Sequence, residues 1–209
     1  MTTSVDDRRT LSALQLDALR EVANIGAGHA ATALSQMTAR TIMISVPRLH
    51  VAAVDEIAPQ LAPGEQPVAG VVMDMVGDLT GRTLLVLPKP TVLRVAELML
   101  RRPAGSSVAL GELERSAVTE AGNILSGAYM NALSDFMGML LLPTPPTLAI
   151  DVSARLLTRD FLRLDAVTQV FVVETEFTLH GTDERLRGFF LLLPDPASLQ
   201  AILRAVRLG

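Results

Sequence analysis

The chain of 209 residues has no cysteine and no tryptophan, one tyrosine and six phenylalanines. Without cysteine there can be no disulfide and no thiolate metal site, which fits a reducing cytosol. So few aromatics leave little on which bases or sugar rings could stack. No long basic run is present and the formal net charge is −4, which argues against neutralising a nucleic-acid backbone. The three histidines, His29, His50 and His180, are scattered, and no pair has a metal-ligand spacing. The longest apolar runs, such as Phe189 to Leu193, fall far short of the roughly 20 residues of a membrane span. Met1 to Thr10 are polar and charged and lack the apolar stretch of a secretion signal. These absences predict a cytoplasmic protein with no membrane or nucleic-acid partner and no metal site.

What the chain does have is apolar residues, 49% of the total, enough to bury a large core. It also has the segment EVANIGAGHAATALSQ (21–36), in which Gly26-Ala27-Gly28 and Ala31 show the spacing of a dinucleotide-binding loop. Such a loop must follow a strand and open a helix. Here Leu16, Leu19, Ala23, Ala27, Ala30, Leu34 and Met37 recur every three or four residues, a helical period running straight through the glycines. The nucleotide reading therefore lacks its context. Ala23, Gly26, Ala27 and Ala30 are expected instead to let another helix or a sheet approach closely.

The chain repeats itself. EVANIGAGHAATALS (21–35) aligns with EAGNILSGAYMNALS (120–134) at an offset of 99 residues. Glu21 matches Glu120, Asn24 matches Asn123, and Gly28 matches Gly127, whereas Leu125 stands where the first copy has Gly26. The GxG pattern is not shared, which makes the glycine pair incidental and the carboxylate and amide the repeated feature. The ends of the halves match too: GRTLLVLPKPTVL (81–93) and GFFLLLPDPASL (188–199) both read as a strand, a Pro-charged-Pro step and a helix. The expected fold is α/β (α+β), with two pseudo-symmetric halves sharing one sheet. Each half would have a long helical segment, with the glycines inside a helix or at a break between two helices, about three strands and a closing helix. A polar tail (1–10) would precede one domain (11–209) made of repeats at about 11–103 and 108–208, joined through the Pro/Gly/Ser-containing RRPAGSSVALG (101–111). Expected strands are Thr41–Val46, Gln66–Met75 and Thr83–Leu87, then Thr147–Ser153, Thr168–Leu179 and Arg187–Leu193, with a hairpin turn at Gly181-Thr182-Asp183.

Asp17, Glu21 and Asn24 lie at i, i+4 and i+7, as do Ser116, Glu120 and Asn123. On a helix each trio forms one polar stripe, away from the apolar side. A stripe of this kind is usually a solvated face, and Ser116 could serve as an N-cap. Yet Asn suits a helix interior poorly, and a solvated face does not require the same Glu and Asn in two diverged copies. A carboxylate can bind a cation or accept a proton, and an amide can hold a water in a chosen direction. That combination suits hydrolysis of an electrophile activated by another molecule's metal, where positioning an in-line water supplies much of the rate. Exposure on a helix face favours a macromolecular substrate.

These residues resemble the CheC family of chemotaxis phosphatases, in its two-site form. The family motif is Asp or Ser, three residues, Glu, two residues, Asn, twenty-two residues and Pro. Asp17, Glu21, Asn24 and Pro47 fit it, and so do Ser116, Glu120, Asn123 and Pro146. The resemblance implies hydrolysis of the aspartyl phosphate of a CheY-type response regulator. Asn24 and Asn123 would direct the attacking water, and Glu21 and Glu120 would anchor the regulator's lysine. Asp17 and Ser116 would support the helix or the docking. Pro47 and Pro146 would shape the strand that follows. It implies no cofactor of the chain's own, with Mg²⁺ supplied by the regulator, and makes the deamidase CheD a candidate second partner. A non-enzymatic chemotaxis adaptor is the alternative. Because Asp17 aligns with Ser116 and the flanking residues differ, unequal activity at the two sites is expected.

Overall fold

The computed structural model describes residues 12–61, 66–152 and 169–208. The polar tail and the Ser153 and Thr168 ends of two expected strands lie outside them. In chain order the elements are α1 (Ala13–Thr38), β1 (Ile42–Ile44), β2 (Arg48–Ala53), α2 (Val54–Leu61), β3 (Pro67–Gly77), β4 (Gly81–Pro88), α3 (Lys89–Met99), α4 (Glu112–Met137), β5 (Leu141–Pro143), β6 (Thr147–Val152), β7 (Gln169–Leu179), β8 (Arg185–Pro194) and α5 (Pro196–Leu208). The long helices, the closing helices after each Pro-charged-Pro step and the six expected strands are all present. Sequence periodicity did not reveal β2, β5 or α2, which are three to eight residues long.

Every strand pairing is antiparallel, and the eight strands form one sheet. β4 and β8 lie side by side in its middle, one from each half, flanked by β3 and β7 respectively. The halves then exchange strands. β1 and β2 of the first half pair with β7 of the second, and β5 and β6 of the second pair with β3 of the first. The two repeats therefore interlock through the sheet.

Residues 45–47 stand between the last β1 pair (Ile44 with Phe177) and the first β2 pair (Arg48 with Glu174), opposite two residues only, 175 and 176. Residues 144–146 likewise face 73 and 74. Each half thus carries a bulge at the same place, and its last residue is the motif proline, Pro47 or Pro146. Proline has no N–H to give a ladder, and here the ladder is already interrupted.

Both faces of the sheet are covered, which is why Phe189–Leu193 reads as a continuous apolar run without alternation. On one face Leu19, Ala23, Ala27 and Leu34 of α1, Val118, Ala121 and Leu125 of α4, Val92 and Ala96 of α3, and Ile202 of α5 pack with Val71, Met73, Leu85, Phe171, Val173 and Phe190. On the other, Ile57 and Leu61 of α2 pack with Val68, Leu84, Val86, Val172 and Leu191. Met37, placed by its spacing on the apolar side of α1, is 43% exposed, and Thr38 takes the buried position beside it.

Candidate active site

The start of α1 is pinned before the motif begins. Ser12 is a capping box with Gln15: the Gln15 amide N–H donates to Ser12 Oγ at 3.2 Å, and the Ser12 N–H donates to Gln15 Oε1 at 2.9 Å. Gln15 Nε2 then donates to the Leu203 carbonyl at 3.1 Å, tying the helix start to α5. α4 begins differently. Gly111 is its N-cap, so Ser116 stands inside the helix and does not cap it. Glu112 and Glu114 in its first turn complement the helix dipole. Arg102 of the connecting segment pairs with Glu114.

Each polar stripe lies on the outer side of its helix. Asp17, Glu21 and Asn24 are exposed, as are Ser116 and Glu120, whereas Asn123 is half-buried. Glu21, Asn24, Glu120 and Asn123 make no side-chain hydrogen bond or ion pair among the described residues. Glu21, Asn24 and Glu120 are thus open to another molecule, and Asn123 is partly so. Asp17 is held by Arg20 at 2.9 Å in an exposed pair. The corresponding residues of α4, Ser116 and Thr119, form no such pair, and the Thr119 hydroxyl donates to the Arg115 carbonyl. The two stripes thus differ in local charge and in exposure of the amide.

The two motif helices are packed against each other. A Cβ on Gly26 would lie 2.6 Å from Tyr129 Cδ1 and 3.1 Å from Tyr129 Cα. Gly26 is therefore not incidental: it is the point where α4 meets α1, the close approach that its small neighbours imply. At the equivalent α4 position stands Leu125, 1% exposed. Tyr129 stacks on Phe190 at 4.8 Å between ring centres, and its hydroxyl lies 2.7 Å from Thr175 Oγ1. Burial pushes its phenol up to about 12, against an opposing pull from the Thr175 hydroxyl.

The motif residues line neither an apolar cavity walled by Leu34, Val95, Leu125 and Phe177 nor the arginine-lined cleft beside it. That cleft, of about 550 Å³, gathers Arg40, Arg94, Arg101 and Arg102 near the C-terminal ends of α1 and α3. Cations suit helix C-termini, and Arg94 is paired with Glu184 at 2.6 Å. Beneath the connecting segment, burial pushes the Glu97 carboxyl up, but the N–H groups of Ser107 and Gly105 and the Arg94 guanidinium outweigh it and hold it below the usual range. Among the described residues no three His, Asp or Glu side chains converge as metal ligands. An exposed carboxylate and amide on a convex helix face can grip and orient a macromolecule; they cannot enclose a small one. The motif alone does not point to Leu14 and Leu113, exposed at equivalent places on the same helices, although the 99-residue offset does.

The profile of the CheC-like family matches residues 14–51 and 113–150, two segments that both run from the start of a motif helix through the motif proline. The CheY-P phosphatase CheC of Bacillus subtilis is 32% identical over 195 residues, covering 92% of this chain and 93% of that protein. The flagellar motor switch phosphatase FliY of the same organism is 29% identical over 68% of this chain and 36% of its own length. The crystal structure of Thermotoga maritima FliY superposes with a TM-score of 0.79 at 25% identity, covering 95% of this chain and 98% of that one. With the repeat, the two stripes and the interlocked sheet, this likeness over nearly the whole length shows that the chain belongs to the CheC-like family.

Proposed function

We propose that the protein hydrolyses the aspartyl phosphate of a CheY-type response regulator. The observation that carries this is the Glu/Asn pair presented twice on the outer faces of two helices, with no partner for any of the four side chains among the described residues, in a chain similar throughout to a CheY-P phosphatase. Glu21 or Glu120 accepts hydrogen bonds from a cationic side chain of the regulator, a lysine by the family resemblance, and sets the register of docking. Asn24 or Asn123 then reaches the acyl phosphate and holds a water in line with the phosphorus. Water attacks phosphorus, the bond to the aspartate oxygen breaks, and inorganic phosphate and aspartate leave. The Mg²⁺ that neutralises the phosphoryl oxygens enters with the regulator, so the chain contributes positioning alone.

The test is the decay of phosphate on a CheY-type regulator with wild type, Asn24→Ala, Asn123→Ala and the double variant. These side chains have no partner among the described residues and alanine is the better helix former, so each change should leave stability unchanged or raise it by up to about 0.7 kcal/mol. Loss of both amides should reduce the acceleration by about 100-fold or more. The single variants should differ from each other, since Asp17–Arg20 and the more exposed Asn24 set the first site apart. Equal losses would refute that inequality. Binding to the phosphorylated regulator without acceleration would favour the adaptor. Co-purification with CheD tests the second partner.

A further inference from the structure

The exposed face of each motif helix carries more than its carboxylate and amide. At 3.6 residues per turn, Leu14, Asp17, Glu21, Asn24, Ile25 and Gly28 fall within an arc of about 100°. Leu113, Ser116, Glu120, Asn123, Ile124 and Gly127 repeat that arc on α4, where the first three are exposed and the last three half-buried. Leu14 is 66% exposed and Leu113 55%. One exposed leucine needs no explanation. The same exposed leucine in both copies does, because the buried positions between these helices have diverged to Gly26 against Leu125 and Ala30 against Tyr129.

The glycines at the other end of the arc show the same pattern. A Cβ at Gly28 or at Gly127 would have nothing within 4 Å. The fold therefore has no need of glycine at either place, and each weakens its helix relative to alanine. By contrast, Gly26 and Gly122 are filled against by Tyr129 and Val71. A residue that the fold would gain by replacing, present in both copies one turn beyond the asparagine, answers to something that approaches from outside.

Resting on the phosphatase reading above, we propose that Leu14–Gly28 and Leu113–Gly127 form one docking footprint used twice for the phosphorylated response regulator. The leucine seats in an apolar recess of the regulator, and the glycine lets the regulator's backbone close against the helix so that the asparagine reaches the phosphate. Each footprint is about 21 Å long, within the reach of one small domain, so each helix takes one regulator.

The experiment measures regulator-phosphate decay against regulator concentration for the full chain, alongside thermal melting and oligomeric state. The variants are Gly28→Ala/Gly127→Ala, Gly28→Leu/Gly127→Leu and Leu14→Ser/Leu113→Ser, with Asn24→Ala/Asn123→Ala as reference. Each Gly→Ala change should raise Tm by about 2–4 °C. The Gly→Leu pair should melt no lower than wild type yet raise KM about tenfold or more. The Leu→Ser pair should raise KM by a similar factor and leave kcat near wild type at saturation. An active wild type whose Gly and Leu variants keep the wild-type KM would overturn the footprint while leaving the phosphatase reading standing. A fall in Tm for Gly→Ala would overturn it by making the glycines structural. Conversion of a dimer to a monomer by Leu→Ser would assign the leucines to a second copy of the chain and overturn it. An inactive wild type would overturn the phosphatase reading itself.

Discussion

Tyr129 offers a direct test of how the two motif helices are held together. It is the chain's one tyrosine, there is no tryptophan or cysteine, and Lys89, exposed at the start of α3, is the one lysine. Alkaline titration is therefore unusually clean. In the folded protein the phenol lies between α1, the sheet and Phe190 and is pushed from 10.0 to about 12 by burial. The folded state thus keeps its proton where the unfolded chain has lost it, so this contribution is complete below pH 10 and is lost as pH rises through about 12. A two-unit separation corresponds to about 2.7 kcal/mol, taken as an order of magnitude. Tyrosinate absorbance should appear near pH 12 in the native protein and near pH 10 in denaturant. Urea unfolding should show stability falling across the same window. Tyr129→Phe should flatten that fall relative to wild type, which separates Tyr129 from Lys89 and the terminal amine. At neutral pH the same substitution leaves the Thr175 hydroxyl, 3% exposed, without its partner, at a cost of about 1–2 kcal/mol. A native titration coinciding with that of the unfolded chain would refute the packing of Gly26 on Tyr129, and with it the account of how α1 and α4 are held side by side.

Three further outcomes are expected. Glu97→Gln should destabilise by about 2 kcal/mol, toward the low end for charge-assisted bonds, because the segment covering Glu97 is itself exposed from Arg101 to Ser106. Its lowered carboxyl means the wild-type advantage is full above the ordinary glutamate value and vanishes as pH falls through the folded one; a pH-independent difference in urea midpoints would contradict this. Ser126→Ala should raise Tm by about 2–4 °C, since the Ser126 hydroxyl is buried with no partner among the described residues and the other half has Ala27 there; a lower Tm would mean that the hydroxyl is satisfied. Gly122→Ala should destabilise by about 1–3 kcal/mol, because a Cβ there would meet Val71 Cγ1 at 2.6 Å, and Val71→Ala in the same chain should relieve the clash; additive effects in the double-mutant cycle would show that the two do not touch.

The sequence by itself determined the repeat, the two long helices, six of the strands and the outward polar stripes. All of these rest on short-range periodicity and on comparison of the chain with itself. The 3.6-residue spacing of Leu19, Ala23, Ala27 and Leu34 is enough to set the exposed side of α1 opposite them. Three decisions belonged to the tertiary structure. Exchange of β1–β2 and β5–β6 between the halves is a choice among strand edges far apart in the chain, and no local pattern encodes which edge a short strand joins. The bulges ending at Pro47 and Pro146 exist only as a mismatch of register against β7 and β3, so proline alone announces a strand start without its reason. Gly26 looked incidental because its requirement sits on another helix: Tyr129, a hundred or so residues away, fills the space a side chain would take. Helix faces are written locally in the order of residues, whereas edges, registers and close approaches are decided by whatever packs opposite.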